Sequence, residues 1–213
     1  MKTKLANLRF NYLSFPGYLL FHPFDGFDDF KRYKKAKMSV AVSLMILYAF
    51  LRIYTYQYEG FLINERNPLL LNSLEEVFSV ALLIGLFTIG NWSVTTLMSG
   101  KGNFKEIFMV TGYALFPLVI IGFPAVFISN YLTLEEMAFY NLAMGIAYIS
   151  TGWMLFMGML NIHNYGLAKT IGAFFATFVS MIVMMFLGLL FFDLIQQFIS
   201  FVASIYEEIS LRY

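Results

Sequence analysis

Long apolar runs separated by short polar links set the pattern of this chain. Five stretches, approximately 38 to 57, 77 to 98, 107 to 129, 138 to 160 and 170 to 192, are apolar over enough residues to cross a membrane, since a spanning helix needs about 20 mostly apolar residues for a hydrocarbon core of about 30 Å. The links are too short to hide a soluble domain. The pattern therefore predicts an all-α, polytopic membrane bundle of five transmembrane helices occupying 38 to 192, flanked by an N-terminal segment, 1 to 37, and a C-terminal segment, 193 to 213.

Polar residues mark where helices begin. Ser73-Leu74-Glu75-Glu76 and Thr133-Leu134-Glu135-Glu136 match the capping box, and Asn103-Phe104-Lys105-Glu106 is a looser version of it. These glutamates read as caps complementing the positive end of a helix dipole, with an external cation site as the lesser alternative. Residues 22 to 37 open with a turn and become a short amphipathic stretch in which Phe27, Phe30 and Tyr33 or Lys34 recur at helical spacing. An aromatic face at headgroup level, with the lysines on anionic lipid, is one expectation; a basic anchor for the first span is the other. At the far end Leu194, Phe198, Phe201, Val202, Ile205 and Ile209 share a helical spacing, which predicts an interfacial amphipathic helix continuing from the fifth span.

Composition agrees with lipid as the main solvent: 60% of residues are hydrophobic, 19% aromatic and only 13% charged. Charge adds orientation. Of 14 basic residues, 11 (Lys2, Lys4, Arg9, Lys31, Arg32, Lys34, Lys35, Lys37, Lys101, Lys105 and Lys169) fall on one side of a five-span topology. The positive-inside rule makes that side cytoplasmic, placing the N-terminus inside and the C-terminus outside. Residues 1 to 21 lack an apolar core of signal-peptide length, so insertion is expected to use the spans themselves.

Candidate chemistry is sparse. The absence of cysteine excludes disulfides, thiol nucleophiles and thiolate metal sites. Neither an HExxH helix nor a G-x-S-x-G elbow is present, so no catalytic residue, cofactor or metal is assigned and the chain is read as a non-enzyme. Arg52 stands inside the first span, where a charge is costly; snorkelling or pairing with Glu59, Glu75 or Glu76 is the plain reading. Pro117 and Pro124, with Gly112 and Gly122, interrupt the third span, predicting a kink or, as the lesser reading, a translocation element. Arg52, Asn91 and Pro117 together form a candidate intramembrane polar site. The Ser99-Gly100-Lys101-Gly102 stretch reads as a tight turn, not a nucleotide loop, and the methionines at 154, 157, 159, 181, 184 and 185 read as fillers of apolar helices. Gly172, Ala176, Ser180 and Gly188 fall on one face of the fifth span, predicting close packing within the bundle or against a partner.

Several pieces, in order, carry a resemblance: His22-Pro23-Phe24-Asp25-Gly26-Phe27; Asn91-Trp92 followed by Thr95 to Gly102 and Phe104-Lys105-Glu106; Thr111-Gly112-Tyr113-Ala114-Leu115 with Pro117; and Ile162-His163-Asn164-Tyr165 with Lys169-Thr170. From about residue 20 to 192 the chain resembles the bacterial branch of the Yip-one domain family, five-span membrane proteins related to Ypt/Rab-interacting proteins of the early secretory pathway. The resemblance implies a compact five-helix fold with a cytoplasmic N-terminal segment. The bacterial branch looks like companions of ABC-type transporters or of envelope processes, and the chain lacks the long N-terminal cytosolic region of the eukaryotic relatives.

The function expected is that of a non-enzymatic membrane adaptor in a bacterial plasma membrane, docking a membrane protein such as an ABC-type transporter, and anionic headgroups, through its cytoplasmic face. The interface residues are His22, Phe24, Asp25, Phe27, Lys31, Arg32, Lys34, Lys35, Lys101, Lys105, His163 and Asn164. Homo-oligomers are compatible with this reading, and no nucleic-acid partner is expected. A small transporter or channel component, and a membrane-shaping or trafficking factor, are the alternatives.

Overall fold

The computed structural model describes residues 10–212. Lys2, Lys4 and Arg9, counted above among the basic residues, and Tyr213 lie outside the described residues. After a single π-helical turn, Phe10–Ser14, come two short helices, α1 (Phe15–Phe21) and α2 (Pro23–Arg32). The spans follow: α3 (Met38–Tyr58), α4 (Ser73–Leu97), the broken pair α5 (Phe104–Ala114) and α6 (Phe116–Ser129), α7 (Met137–His163) and α8 (Leu167–Arg212). Five helical segments, with α5 and α6 counted as one, are long and apolar enough to cross a membrane. Among the described residues no strand occurs.

The third span is the centre of the bundle. In its most apolar window 61% of residues are buried, against 28% in the first and fourth spans, 33% in the second and 6% in the fifth. Close approach at Gly112 explains part of this, because a Cβ there would lie 2.8 Å from the Ala41 carbonyl oxygen of α3. The break falls at Leu115, with Pro117 in the first turn of α6. There its missing N–H costs little and its fixed φ suits a helix start. Pro124, by contrast, sits inside α6.

Helix α2 starts at Pro23, carries Asp25 in its first turn and Lys31 and Arg32 in its last, each charge complementing the helix dipole. Its aromatic stripe does not lie on lipid. Phe27 and Phe30 are 0% and 3% exposed and join Phe15, Leu19, Val40, Val110, Tyr113 and Met157 in the main core. The rings of Phe15 and Phe30 both meet Tyr113 edge-on, at centroid distances of 5.9 and 5.6 Å. This corrects the headgroup-level expectation for Phe27: burying two phenyl rings against the bundle removes far more apolar area from water than the interface would.

Capping follows the expected pattern with one shift. Glu106 accepts from the Asn103 N–H at 2.9 Å and Glu136 from the Thr133 N–H at 3.0 Å. At the start of α4 the cap is Asn72, whose side chain accepts from Leu74 and Glu75, and Glu76 is engaged by Arg52 instead.

Helix α8 has 46 residues, about 69 Å of α-helix, or roughly twice the hydrocarbon thickness. Its first half packs on α4 through Thr170, Ala173 and Thr177, and Met181 and Met184 come against Gly90. On the small-residue face Gly172 and Gly188 have open space around them, whereas Ala176 and Ser180 are half-buried and Met184, in the same series, meets Gly90. From Leu189 to Leu211 the helix is exposed throughout.

Candidate functional site

The segments that carry the distinctive polar residues, 22 to 37, 99 to 106 and 161 to 169, meet at one end of the bundle. Three non-glycine residues there adopt positive φ: Lys34 (50°), Ser99 (57°) and Asn164 (53°), one in each link. Such left-handed conformations reverse a chain in few residues and are disfavoured for side chains with a Cβ. The links are therefore tightly specified turns. Helix α2 is tied down by the Lys31 ammonium, which donates to the Ile162 carbonyl at the end of α7. The link after it is held by the Lys37 N–H, which donates to the Tyr113 hydroxyl at 3.0 Å.

Beneath this surface a chain of hydrogen bonds crosses three spans. The Gly102 N–H donates to His163 Nδ1 at 3.3 Å, and His163 Nε2 lies 3.2 Å from Asn91 Oδ1. Since Nδ1 accepts, the ring proton resides on Nε2 and donates to Asn91. Asn91 Nδ2 donates to the Thr177 hydroxyl at 3.1 Å, and that hydroxyl donates to the Ala173 carbonyl at 2.7 Å. Tyr165 stacks on His163 with centroids 5.2 Å apart, and its hydroxyl donates to the Thr95 and Met98 carbonyls, each at 3.3 Å. The ammonium of Lys169 lies 4.3 Å above the Tyr165 ring. Glycine is required at 100 and 102, because a Cβ would come within 2.6 Å and 2.8 Å of the His163 ring. Partial burial raises the Tyr165 phenol above its ordinary pKa, keeping it a donor. The arrangement locks α4, α7, α8 and the glycine turn together, and the lone pair on Nδ1 is already occupied.

Among the expected interface residues, His22, Phe24, Asp25, Arg32, Lys34, Lys35, Lys101, Lys105 and Asn164 are exposed at this end. His22 stacks on Tyr18, Arg32 pairs with Asp28 at 2.7 Å, and Lys35 pairs with Asp29 at 2.5 Å. The hydrogen bond that Lys35 donates to Asp29 raises the Lys35 pKa. Burial, with Lys101 adding repulsion and Glu106 opposing it, lowers that of Lys31. His163 is 2% exposed and Phe27 fully buried, so both act from inside the protein. Thr177 is not among the residues the sequence singles out, and Tyr113 stands out there only within the Thr111 to Leu115 stretch; the signal for Thr177 is an isolated polar residue in an otherwise apolar span.

At the opposite end, Arg52 reaches Glu76 through Nε and Nη2, each at 3.1 Å. Arg52 also lines a cavity of about 250 Å³ with Glu59, Arg66, Tyr140, Tyr148 and Leu118, the neighbour of Pro117. The Tyr140 hydroxyl donates to Glu59. Asn91 is absent from this cavity and belongs to the His163 network, so the structure does not bring Arg52 and Asn91 together. Among the described residues no group of three or more histidine, aspartate and glutamate side chains is placed to hold a metal ion.

A family model for the Yip1 domain matches residues 17–205, nearly the whole chain, from inside α1 to the exposed half of α8. The chain belongs to the Yip1 domain family. It is a multi-pass membrane protein of that family, whose members are membrane proteins that interact with other membrane proteins. No curated protein and no solved structure matches this Yip1-domain chain. The match includes the His22 to Phe27 stretch, the Gly100 to Gly102 turn and the Ile162 to Tyr165 stretch, the three pieces that meet at the basic end.

Proposed function

We propose that this protein is a non-enzymatic membrane adaptor whose basic end faces the cytoplasm and docks another membrane protein. A bacterial plasma membrane is the setting, and an ABC-type transporter is the leading partner. The observation that carries the reading is the joining of α2, the glycine turn and the end of α7 into one pinned surface. It exposes Phe21, Phe24 and Tyr33 between lysines and arginines. Exposed aromatics rimmed by charge are what a docking face needs, and lysines at a cytoplasmic headgroup boundary add attraction to anionic lipid. The test is affinity purification of the tagged chain in mild detergent, with mass spectrometry of what accompanies it and an unrelated five-span protein as control. Stoichiometric recovery of a membrane protein, lost on Asp25→Ala or Lys101→Ala, is the expected result. Recovery of the chain alone, as monomer or homo-oligomer, overturns it.

The Arg52 cavity favours a second reading, a small transport component, because guanidinium, carboxylate and phenol groups line a space open between spans. Solute flux in liposomes that is abolished by Arg52→Gln selects this reading over the adaptor.

A further inference from the structure

We propose that the basic end holds a binding site for the phosphate of an anionic lipid headgroup, in the cavity between α2 and the first turn of α5. The inference rests on the reading of that end as the face on the inner leaflet, and gives the anionic-lipid contact a defined place. The cavity has a volume of about 280 Å³. Lys31 reaches it from the last turn of α2, Lys34 from the left-handed position in the link and Lys105 from the first turn of α5.

Three lysines from three segments thus line one cavity, and the single carboxylate in its lining, Glu106, already accepts from the Asn103 N–H. Among the described residues neither Lys34 nor Lys105 has a hydrogen-bond or ion-pair partner. Converging like charges are unfavourable by themselves and are relieved by an anion between them.

The other walls select the class of anion. Met38, the first residue of the first span, and Met109, in the third, line the cavity together with Phe30 and Ala36. The ligand therefore meets cations at one side and adaptable apolar surface, at the depth where spans enter the membrane, at the other. A phosphate ester attached to acyl chains satisfies both walls; a free phosphate or glycerol phosphate satisfies only one.

The test titrates the purified full chain in detergent with dioctanoyl phosphatidic acid, dioctanoyl phosphatidylcholine, glycerol 3-phosphate and inorganic phosphate, reading bound lipid by native mass spectrometry. Phosphatidic acid is expected to bind, and the Lys34→Gln/Lys105→Gln double variant to weaken it about thirtyfold, from on the order of 1 kcal/mol for each lysine. Arg32→Gln, at the same end but outside the cavity, leaves binding unchanged. Both substituted lysines are exposed, and an unaltered melting temperature verifies that the variant is folded. Equal loss with Arg32→Gln assigns the effect to diffuse charge and overturns the site. Equal binding of phosphatidylcholine overturns it as well, and equal binding of glycerol 3-phosphate or inorganic phosphate overturns the lipid as source. Partner recovery on the same variants is scored separately, so loss of lipid with the partner retained leaves the adaptor reading standing.

Discussion

Asn91 in the second span donates to Thr177 in the fifth at 3.1 Å, a contact between residues 86 positions apart. With His163 accepted on its other side, the asparagine amide joins three helices that apolar surface alone does not hold in register, since lipid offers apolar contacts of equal quality. Interhelical hydrogen bonds in membranes are worth about 0.6 kcal/mol on average and up to about 1.7. Asn91→Leu leaves the buried His163 N–H without its acceptor and removes the donor to Thr177, whose own bond to Ala173 survives, so about 1–2 kcal/mol of destabilisation is expected. A double-mutant cycle with Thr177→Val, read by thermal unfolding in detergent, should show a coupling of about 0.5–1.5 kcal/mol. Strict additivity contradicts the network.

Gly102 offers a steric test of the same lock. A methyl group there meets the His163 ring at 2.8 Å, whereas at Gly172 it meets open space. Overpacking a closed site costs about 1–3 kcal/mol. Gly102→Ala is expected to lower the melting temperature while Gly172→Ala leaves it unchanged or raises it slightly, as alanine suits a helix interior better than glycine. Equal behaviour of the two variants removes the argument that glycine at 102 is dictated by the histidine.

Much of the fold is legible in the sequence because the bilayer leaves few options: backbone groups in lipid must be satisfied internally, so a long apolar run is a helix. The observed spans begin and end within a few residues of the apolar runs, except that the fifth continues as one helix to Leu211, well past residue 192. Side-chain placement at the ends is less legible. Periodicity marks Phe27 and Phe30 as sharing a face but is silent on whether that face meets lipid or protein, and the answer depends on the long-range neighbours Tyr113 and Val110. The same limit explains Arg52 and Asn91. Both are polar residues in apolar spans, yet they act at opposite ends of the bundle because their partners, Glu76 and His163, do.

The Arg52–Glu76 pair is partly shielded, with side-chain exposures of 34% and 15%. Removing one partner leaves a charge poorly solvated at the edge of the membrane, which costs more than the pair itself contributes. Arg52→Leu and Glu76→Leu are each expected to destabilise by about 1–3 kcal/mol, discounted for the exposed arginine, and the double variant by less than either single one. Unfolding of all three in detergent decides it; a double variant worse than both singles points to separate roles for the two residues.

Two lysines of the basic end are shifted in opposite directions. Lys31 is lowered by burial, and Lys35 is raised by its bond to Asp29. For Lys35 the contribution to stability is present below the unfolded-state pKa of about 10.4 and is lost as pH rises through the higher folded value. For Lys31 the sign reverses: burial of the charged form opposes folding below its lowered folded value, and the opposition fades as pH rises from there towards about 10.4. Reductive ¹³C-methylation followed by NMR titration should therefore show the Lys31 resonance moving at lower pH than that of Lys35. The reverse order contradicts the burial of Lys31 beside the Ile162 carbonyl.

The exposed half of α8 sorts its residues by face. At 100° per residue, Asp193, Gln197, Ser200, Ser204 and Glu207 fall on one side and Leu194, Phe198, Val202, Ile205 and Ile209 on the other. A rod continuing straight out of the membrane leaves that apolar side in water, whereas a bend at the membrane boundary lays it on the interface. The chain contains no cysteine, so single cysteines placed in this helix report without background. We expect Ser200→Cys and Ser204→Cys to react with a water-soluble maleimide in liposomes at least about tenfold faster than Val202→Cys and Ile205→Cys, a ratio corresponding to about 1.4 kcal/mol of differential exposure. Deleting residues 193–213 should remove this protected face while leaving the melting temperature of the bundle unchanged, because that segment makes no buried contact among the described residues. Uniform fast labelling instead identifies a helix standing free in water and withdraws the interfacial assignment of 193 to 213.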